Sequence, residues 1–147
     1  MKNRKPIHDN WYTPSDFYES LNVKYHFDFD PCPRNPTFDG LSVDWGQRNF
    51  INPPYDLKLK TAFVLKALDE SRKGKLCVML LPVSTSTKLF HGVINPHATS
   101  IEFLKGRLKF EGVNTAGELV TTKCGQHDSM IVIFDGRKTK SIFKFWE

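Results

Sequence analysis

Asn52-Pro53-Pro54-Tyr55 is the stretch of this chain whose residue types and spacing point most directly to chemistry. Two adjacent prolines lack both backbone donors and have fixed φ angles, so the tetrapeptide cannot lie inside a helix or a central strand. It follows the short apolar run Asn49-Phe50-Ile51 and precedes a long amphipathic stretch, which makes it a stiff extended turn leaving a strand. In an α/β sheet the crevice at the carboxyl ends of strands is where ligands bind. An exocyclic amine on a nucleobase is a poor nucleophile because its lone pair is delocalised into the ring. Acceptors aimed at its two N–H bonds favour the pyramidal form that can attack a methyl group. The side-chain carbonyl of Asn52 and the backbone carbonyl of Pro53 are two such acceptors, and Tyr55 would stack on a base swung out of its helix. Rigid acceptors raise the rate by preorganisation and orientation, with no shifted pKa required. The plain structural alternative for the bare string is a proline turn with an Asn cap and a packing tyrosine.

The surrounding sequence predicts the elements that must hold this turn. Thr13-Pro14-Ser15-Asp16 starts a helix over 15–21, with Phe17, Leu21 and Tyr18 turned inward. The alternation His26-Phe27-Asp28-Phe29-Asp30 reads as a strand, and a proline-rich loop follows to about Gly40. After the short strand Phe50-Ile51 and the turn, residues 57–73 form the clearest helix. Leu59, Phe63, Ala67 and Leu68 share its inner face, lysines take the other, and Gly74 ends it. The run 75–81 (KLCVMLL) is a central buried strand stopped by Pro82. Ser84 to Thr87 offer caps for a helix to about Val93, Asn95-Pro96 is a turn, and 99–104 and 129–134 are further strands. The loop Leu81-Pro82-Val83-Ser84 lies at a second strand end beside the first and would line a target-base pocket. Strands alternating with helices imply an α/β sheet.

Residues 111–128 form a polar stretch without periodicity, too long for an ordinary connection and suited to target contacts at the rim of a site. A hairpin with no role is its plain alternative. Just before it, Lys105, Arg107 and Lys109 alternate on one strand face, where they would hold phosphates or simply face water. The basic and aromatic residues at 137–146 would extend that surface, or pack their rings on the core.

At 147 residues the chain is expected to be one domain with a real core, preceded by a loose basic tail at 1–8. A formal charge of +5 favours a polyanionic partner. No apolar stretch reaches membrane-spanning length and the start Met-Lys-Asn-Arg-Lys has no secretory apolar region, so a cytoplasmic protein is expected. Cys32, Cys77 and Cys124 are odd in number and widely spaced, which fits reduced thiols. Cys124-x-x-His127 is half of a zinc pattern with no second half, so no metal is expected.

An ordered set of motifs resembles the phage-type DNA N6-adenine methyltransferases. Asn52-Pro53-Pro54-Tyr55 matches the catalytic motif of amino methyltransferases that use S-adenosylmethionine. Trp11-Tyr12-Thr13-Pro14 resembles their Trp-x-Thr-Pro opening, and Phe29-Asp30-Pro31-Cys32 their strand ending in Asp-Pro-Cys. Asp39-Gly40-Leu41 with Trp45, and Gly106-Arg107-Leu108-Lys109-Phe110, match two later elements. The resemblance implies a trimmed Rossmann-like methyltransferase sheet with flanking helices, ending in a hairpin-type pair, and a DNA substrate. It implies catalytic roles for Asn52, Pro53, Pro54 and Tyr55. It also implies cofactor contacts from Tyr12, Thr13, Pro14, Asp30, Pro31 and Cys32, with Thr13 and Pro14 near the methionine end and Asp30 near the amino group. Either Asp39 or Asp44 would meet the adenosine. Conventional methyltransferases carry a Gly-rich loop where this chain has Pro31-Cys32-Pro33-Arg34-Asn35-Pro36, a loss the phage-type members share. Methylation of another amine or amide, and a non-catalytic nucleic-acid-binding relative, are the alternatives.

Overall fold

The computed structural model describes residues 12–113, 119–121 and 127–137. The basic tail at 1–8, Trp11, Cys124 and the aromatic residues after Lys138 lie outside the described residues. Two helices, α1 (Ser15–Tyr25) and α2 (Leu57–Ser71), flank a four-stranded mixed sheet. The strands are β1 (Arg48–Ile51), β2 (Leu76–Pro82), β3 (Ser100–Phe103) and β6 (Ser129–Asp135), in the order β1-β2-β6-β3. β1 and β2 are parallel, while β6 runs antiparallel to both β2 and β3. A separate antiparallel pair, β4 (Glu111–Val113) and β5 (Leu119–Thr121), stands apart from this sheet. The architecture is that of a trimmed α/β methyltransferase-like fold.

Side-chain alternation divides the interior cleanly. Leu76, Val78 and Leu80 of β2, with Phe50, Ile131 and Ile133, face the α1 side, where Phe17, Tyr18 and Leu21 cover them. Cys77, Met79 and Leu81, with Ile51, Met130, Val132 and Phe134, face the α2 side and meet Phe63, Val64 and Ala67. A continuous apolar run therefore becomes two buried faces, as a central strand requires. Each fully buried Leu or Phe contributes roughly 1.5–3 kcal/mol of burial free energy.

Four sequence expectations need correction. Residues 26–30 are not a regular strand: they meet β1 through one parallel bridge, Phe29 to Asn49. Asp28 turns its carboxylate onto the N–H groups of Gln47 and Arg48, and this side-chain pairing replaces a ladder. Asn95-Pro96 is not a turn but opens α3 (Asn95–His97), the end of a helical stretch whose Phe90–Ile94 segment has π geometry. The wide turn, with Asn95 N–H bonded to the Phe90 carbonyl, relieves the clash a proline makes with the preceding helical turn. Leu59 is 42% exposed, because Phe63, Val64 and Ala67 already fill the buried face of α2. Lys105, Arg107 and Lys109 lie after β3 has ended, in a bend where Gly106 takes φ +78. That left-handed residue breaks the alternation which had suggested a strand.

Within 111–128, the expected irregular stretch contains the β4–β5 pair. The apolar segments at 75–81 and 129–134, by contrast, form strands within one residue of their expected limits.

Candidate active site

The parallel strands all end at one edge of the sheet, and there a cavity of about 620 Å³ opens. Asn52, Pro53 and Pro54 contribute one wall as the chain leaves β1; Asp30, Pro31 and Cys32 contribute the next. Asp56 immediately after the motif accepts the Leu59 N–H at 3.0 Å, so the turn passes straight into a capped α2. Pro53 is buried and Asn52 half-buried. The Asn52 amide donates from Nδ2 to the Thr13 hydroxyl at 3.0 Å, joining the diproline turn to the segment before α1.

That segment is fixed on both sides. Tyr12 exchanges two backbone hydrogen bonds with Glu111 of β4, at 2.6 and 3.0 Å, and the Pro14 carbonyl accepts the Tyr18 N–H at 3.0 Å. Tyr12, Thr13, Ser15 and Tyr18 line the cavity; Pro14 is half-buried beside them. Phe38 and Asp39 from the proline-rich loop also line the cavity. Trp45, buried, donates its indole N–H to the Gly40 carbonyl at 2.8 Å, and a Cβ at Gly40 would collide with the Pro31 carbonyl. The Asp-Gly-Leu…Trp element thus braces the loop that replaces a Gly-rich turn.

Asp30 is a half-buried carboxylate in the cavity wall. Burial pushes its carboxyl up to about 6, against the opposing pull of the Cys32 N–H bonded to Oδ1 at 2.8 Å. A rise of this size corresponds to about 3 kcal/mol of unfavourable charge burial. No cationic side chain among the described residues pairs with it. Burial, and then the Asp30 charge, also hold the Cys32 thiol far above its ordinary range; the Tyr18 hydroxyl is raised by the same two causes in the same order. Asp39 differs: it is exposed, and the Leu41 N–H and the Ser42 hydroxyl hold its carboxyl below the ordinary value. Asp44 is exposed and does not line the cavity.

Tyr55 stands beyond the cavity lining, half-buried, with its ring edge-on to Phe110 at 6.3 Å and to His127 at 6.5 Å. Burial raises its phenol to about 12, so it stays a neutral ring at physiological pH. Phe110 is 5% exposed, packed with Leu104 and Leu108 on the α1-side core. The Gly-Arg-x-x-Phe element therefore supplies the wall behind Tyr55. Lys105, Arg107 and Lys109 are exposed on the bend beside it, and Arg107 pairs with Asp128 at 3.1 Å. Val83 and Ser84, past the end of β2, reach the same edge but do not line the cavity.

Sequence reasoning passed over Arg34 and Glu111. They form an ion pair, and the Arg34 guanidinium lies over the Tyr12 ring at 4.5 Å. Arg34, the lone cation in a run of prolines, was the available signal. Among the described residues no group of His, Cys, Asp and Glu could hold a metal, and no helix is long and apolar enough to cross a membrane.

The family model described as DNA N-6-adenine-methyltransferase (Dam) matches residues 1–145. The chain belongs to that family. No curated protein matches it. The Dam family methylates adenine in DNA at N6 with S-adenosylmethionine as methyl donor, so DNA is the substrate class of this chain. The cavity fits such a donor: a half-buried carboxylate with no cationic partner among the described residues suits a cationic amino group, and aromatic and apolar walls suit a purine.

Proposed function

We propose that this Dam-family chain transfers a methyl group to the N6 of an adenine turned out of the DNA stack and held at Asn52-Pro53-Pro54-Tyr55. The observation that carries the reading is the sharing of one cavity by the Asn52 turn and the half-buried Asp30. S-adenosylmethionine, when bound, supplies an electrophilic methyl carbon on a sulfonium. Asp30 holds the amino group of that donor, with Tyr12, Thr13, Pro14, Pro31 and Cys32 around it and Asp39 towards the adenosine end. Asn52 and Pro53 present carbonyl oxygens to the two N–H bonds of adenine N6, drawing its lone pair out of conjugation and towards the methyl carbon. Held there, the donor would supply the methyl carbon and take back the S–C bonding pair on sulfur, and the acceptor nitrogen would lose one proton to water. Pro54 stiffens the turn, so little reorganisation accompanies the step. Tyr55 offers its face to the extruded base, supported from behind by Phe110.

Lys105, Arg107 and Lys109 are the proposed phosphate contacts, and the stretch 111–128 is the proposed target-contact surface. The proposed contact residues span a short surface, so a short or relaxed required site is expected; sequencing methylated DNA after expression checks this, and a single long obligatory site would contradict it. Incubation with labelled methyl donor and unmodified DNA, followed by nucleoside mass spectrometry, tests the reaction. N6-methyladenine is the expected product. Label on cytosine, or no label on DNA at all, sinks the reading.

A further inference from the structure

Thr13 and Asn52 are 39 residues apart in sequence, yet their side chains are bonded at 3.0 Å inside the cavity. We infer that Thr13 is a positioning residue for transfer: its hydroxyl sets which end of the Asn52 carboxamide faces the acceptor amine. The inference rests on the reading of Asn52 given above.

A carboxamide has one accepting end and one donating end, and a hydroxyl can bond to either. An adenine amino group offers N–H bonds on the side that must be held, so the amide has to meet it with oxygen. The NH₂ must then point elsewhere, and if it has no acceptor there the amide rotates or recruits water. The Thr13 Oγ1 is an acceptor placed there, 3.0 Å from Nδ2. Its own position is tightly set, because threonine is stiff at χ1 and the residues on either side are tied by their backbones. Tyr12 is bridged to Glu111, and Pro14 accepts the first helical hydrogen bond of α1 from Tyr18. The hydroxyl therefore acts as a fixed reference against which the diproline turn is aligned. It also joins the wall assigned to the methyl donor with the group assigned to the acceptor, which is where relative orientation matters most.

The experiment compares Thr13→Val, Thr13→Ser and Asn52→Ala in the full chain. It reads steady-state methylation of DNA, donor affinity by calorimetry, and melting temperature. Thr13→Val keeps shape but removes the acceptor, and is expected to lower kcat about 10- to 100-fold. Donor Kd should rise by a clearly smaller factor than kcat falls, since the hydroxyl's bond is with Asn52 and Thr13 is one of several residues around the donor. Thr13→Ser, which keeps the oxygen, should restore most of kcat; if Thr13→Val fails to fold, Thr13→Ala is read in its place. The inference is overturned if the valine variant keeps full kcat. It is equally overturned if donor affinity falls by the same factor as kcat/KM, or if serine is as impaired as valine. An active Asn52→Ala would instead overturn the catalytic reading of the turn. An inactive Asn52→Ala beside a fully active Thr13→Val rejects the positioning role alone.

Discussion

Two carboxylates at opposite ends of the sheet, Glu70 fully buried and Asp30 half-buried, meet opposite treatment. At the edge where β1 and β2 begin, Glu70 is wholly buried and bonded to Lys75 at 2.5 Å, Lys66 at 3.2 Å and Lys73 at 3.4 Å. Lys75 also donates to the Trp45 carbonyl, so the cluster ties α2, β2 and the loop before β1 together. Burial works against the Glu70 charge, but the three lysines outweigh it and hold the carboxyl down at about 2. At the carboxyl edge Asp30 has one backbone N–H and is pushed up to about 6. A structural carboxylate is neutralised by its own chain; Asp30, proposed to hold a cationic ligand, would carry its desolvation cost until the ligand arrives.

The largest effect that would sharpen this contrast is on catalysis. Asn52→Ala and Pro53→Ala should each lower transfer by at least about 10²-fold, with donor affinity mostly intact. A large loss of donor binding in both would merge the two half-sites distinguished here. Next comes stability. Glu70→Gln leaves Lys75 buried without its charge partner and should cost about 3 kcal/mol in denaturant unfolding, with donor affinity little changed. Asp30→Asn should do the reverse: donor affinity falls about 10- to 100-fold in calorimetry, while the ligand-free protein gains stability because a buried charge is gone. If Asp30→Asn destabilises the ligand-free protein, the contrast fails.

The pH dependence follows with signs worked out separately. Glu70 is depressed in the folded state, so its contribution is complete above its ordinary value of 4.5 and is lost as pH falls towards about 2. Asp30 is raised from 3.8 to about 6, so its penalty is fully present above 6 and is relieved as pH falls from about 6 to 3.8. If donor binding uses the ionised Asp30, it should weaken as pH falls below about 6, approaching roughly tenfold per pH unit, and Asp30→Asn should flatten that profile. The smallest expected effect is at Arg34. Arg34→Ala breaks the exposed pair with Glu111 and the stacking on Tyr12. A loss of about 1 kcal/mol or less in denaturant unfolding is expected.

The legible parts of this fold are those in which local chemistry and tertiary context agree. Leu76 to Leu81 are apolar on both faces of β2, and no solvent-exposed element accommodates such a run. The helix after Asn52-Pro53-Pro54-Tyr55 was marked by spacing and is capped by Asp56. Where one residue overrides a pattern, the reading slipped. Gly106 at φ +78 took Lys105, Arg107 and Lys109 out of a strand, and the wide Phe90–Ile94 turn let Pro96 stay helical. Asp28 capping Gln47 and Arg48 reduced an expected strand to a single bridge.

The amino-acid order by itself determined the diproline bend, the two-faced central strand and the family, because each depends on covalent constraint or on neighbours close in the chain. Only the tertiary structure decided that Thr13 bonds Asn52, that Asp39 and not Asp44 borders the cavity, and that Arg34 and Glu111 join the proline loop to β4. It likewise decided that Glu70 has three cations and Asp30 none among the described residues. Those outcomes turn on distances between segments remote in sequence, and a carboxylate's charge state follows from the burial and partners that such packing alone creates.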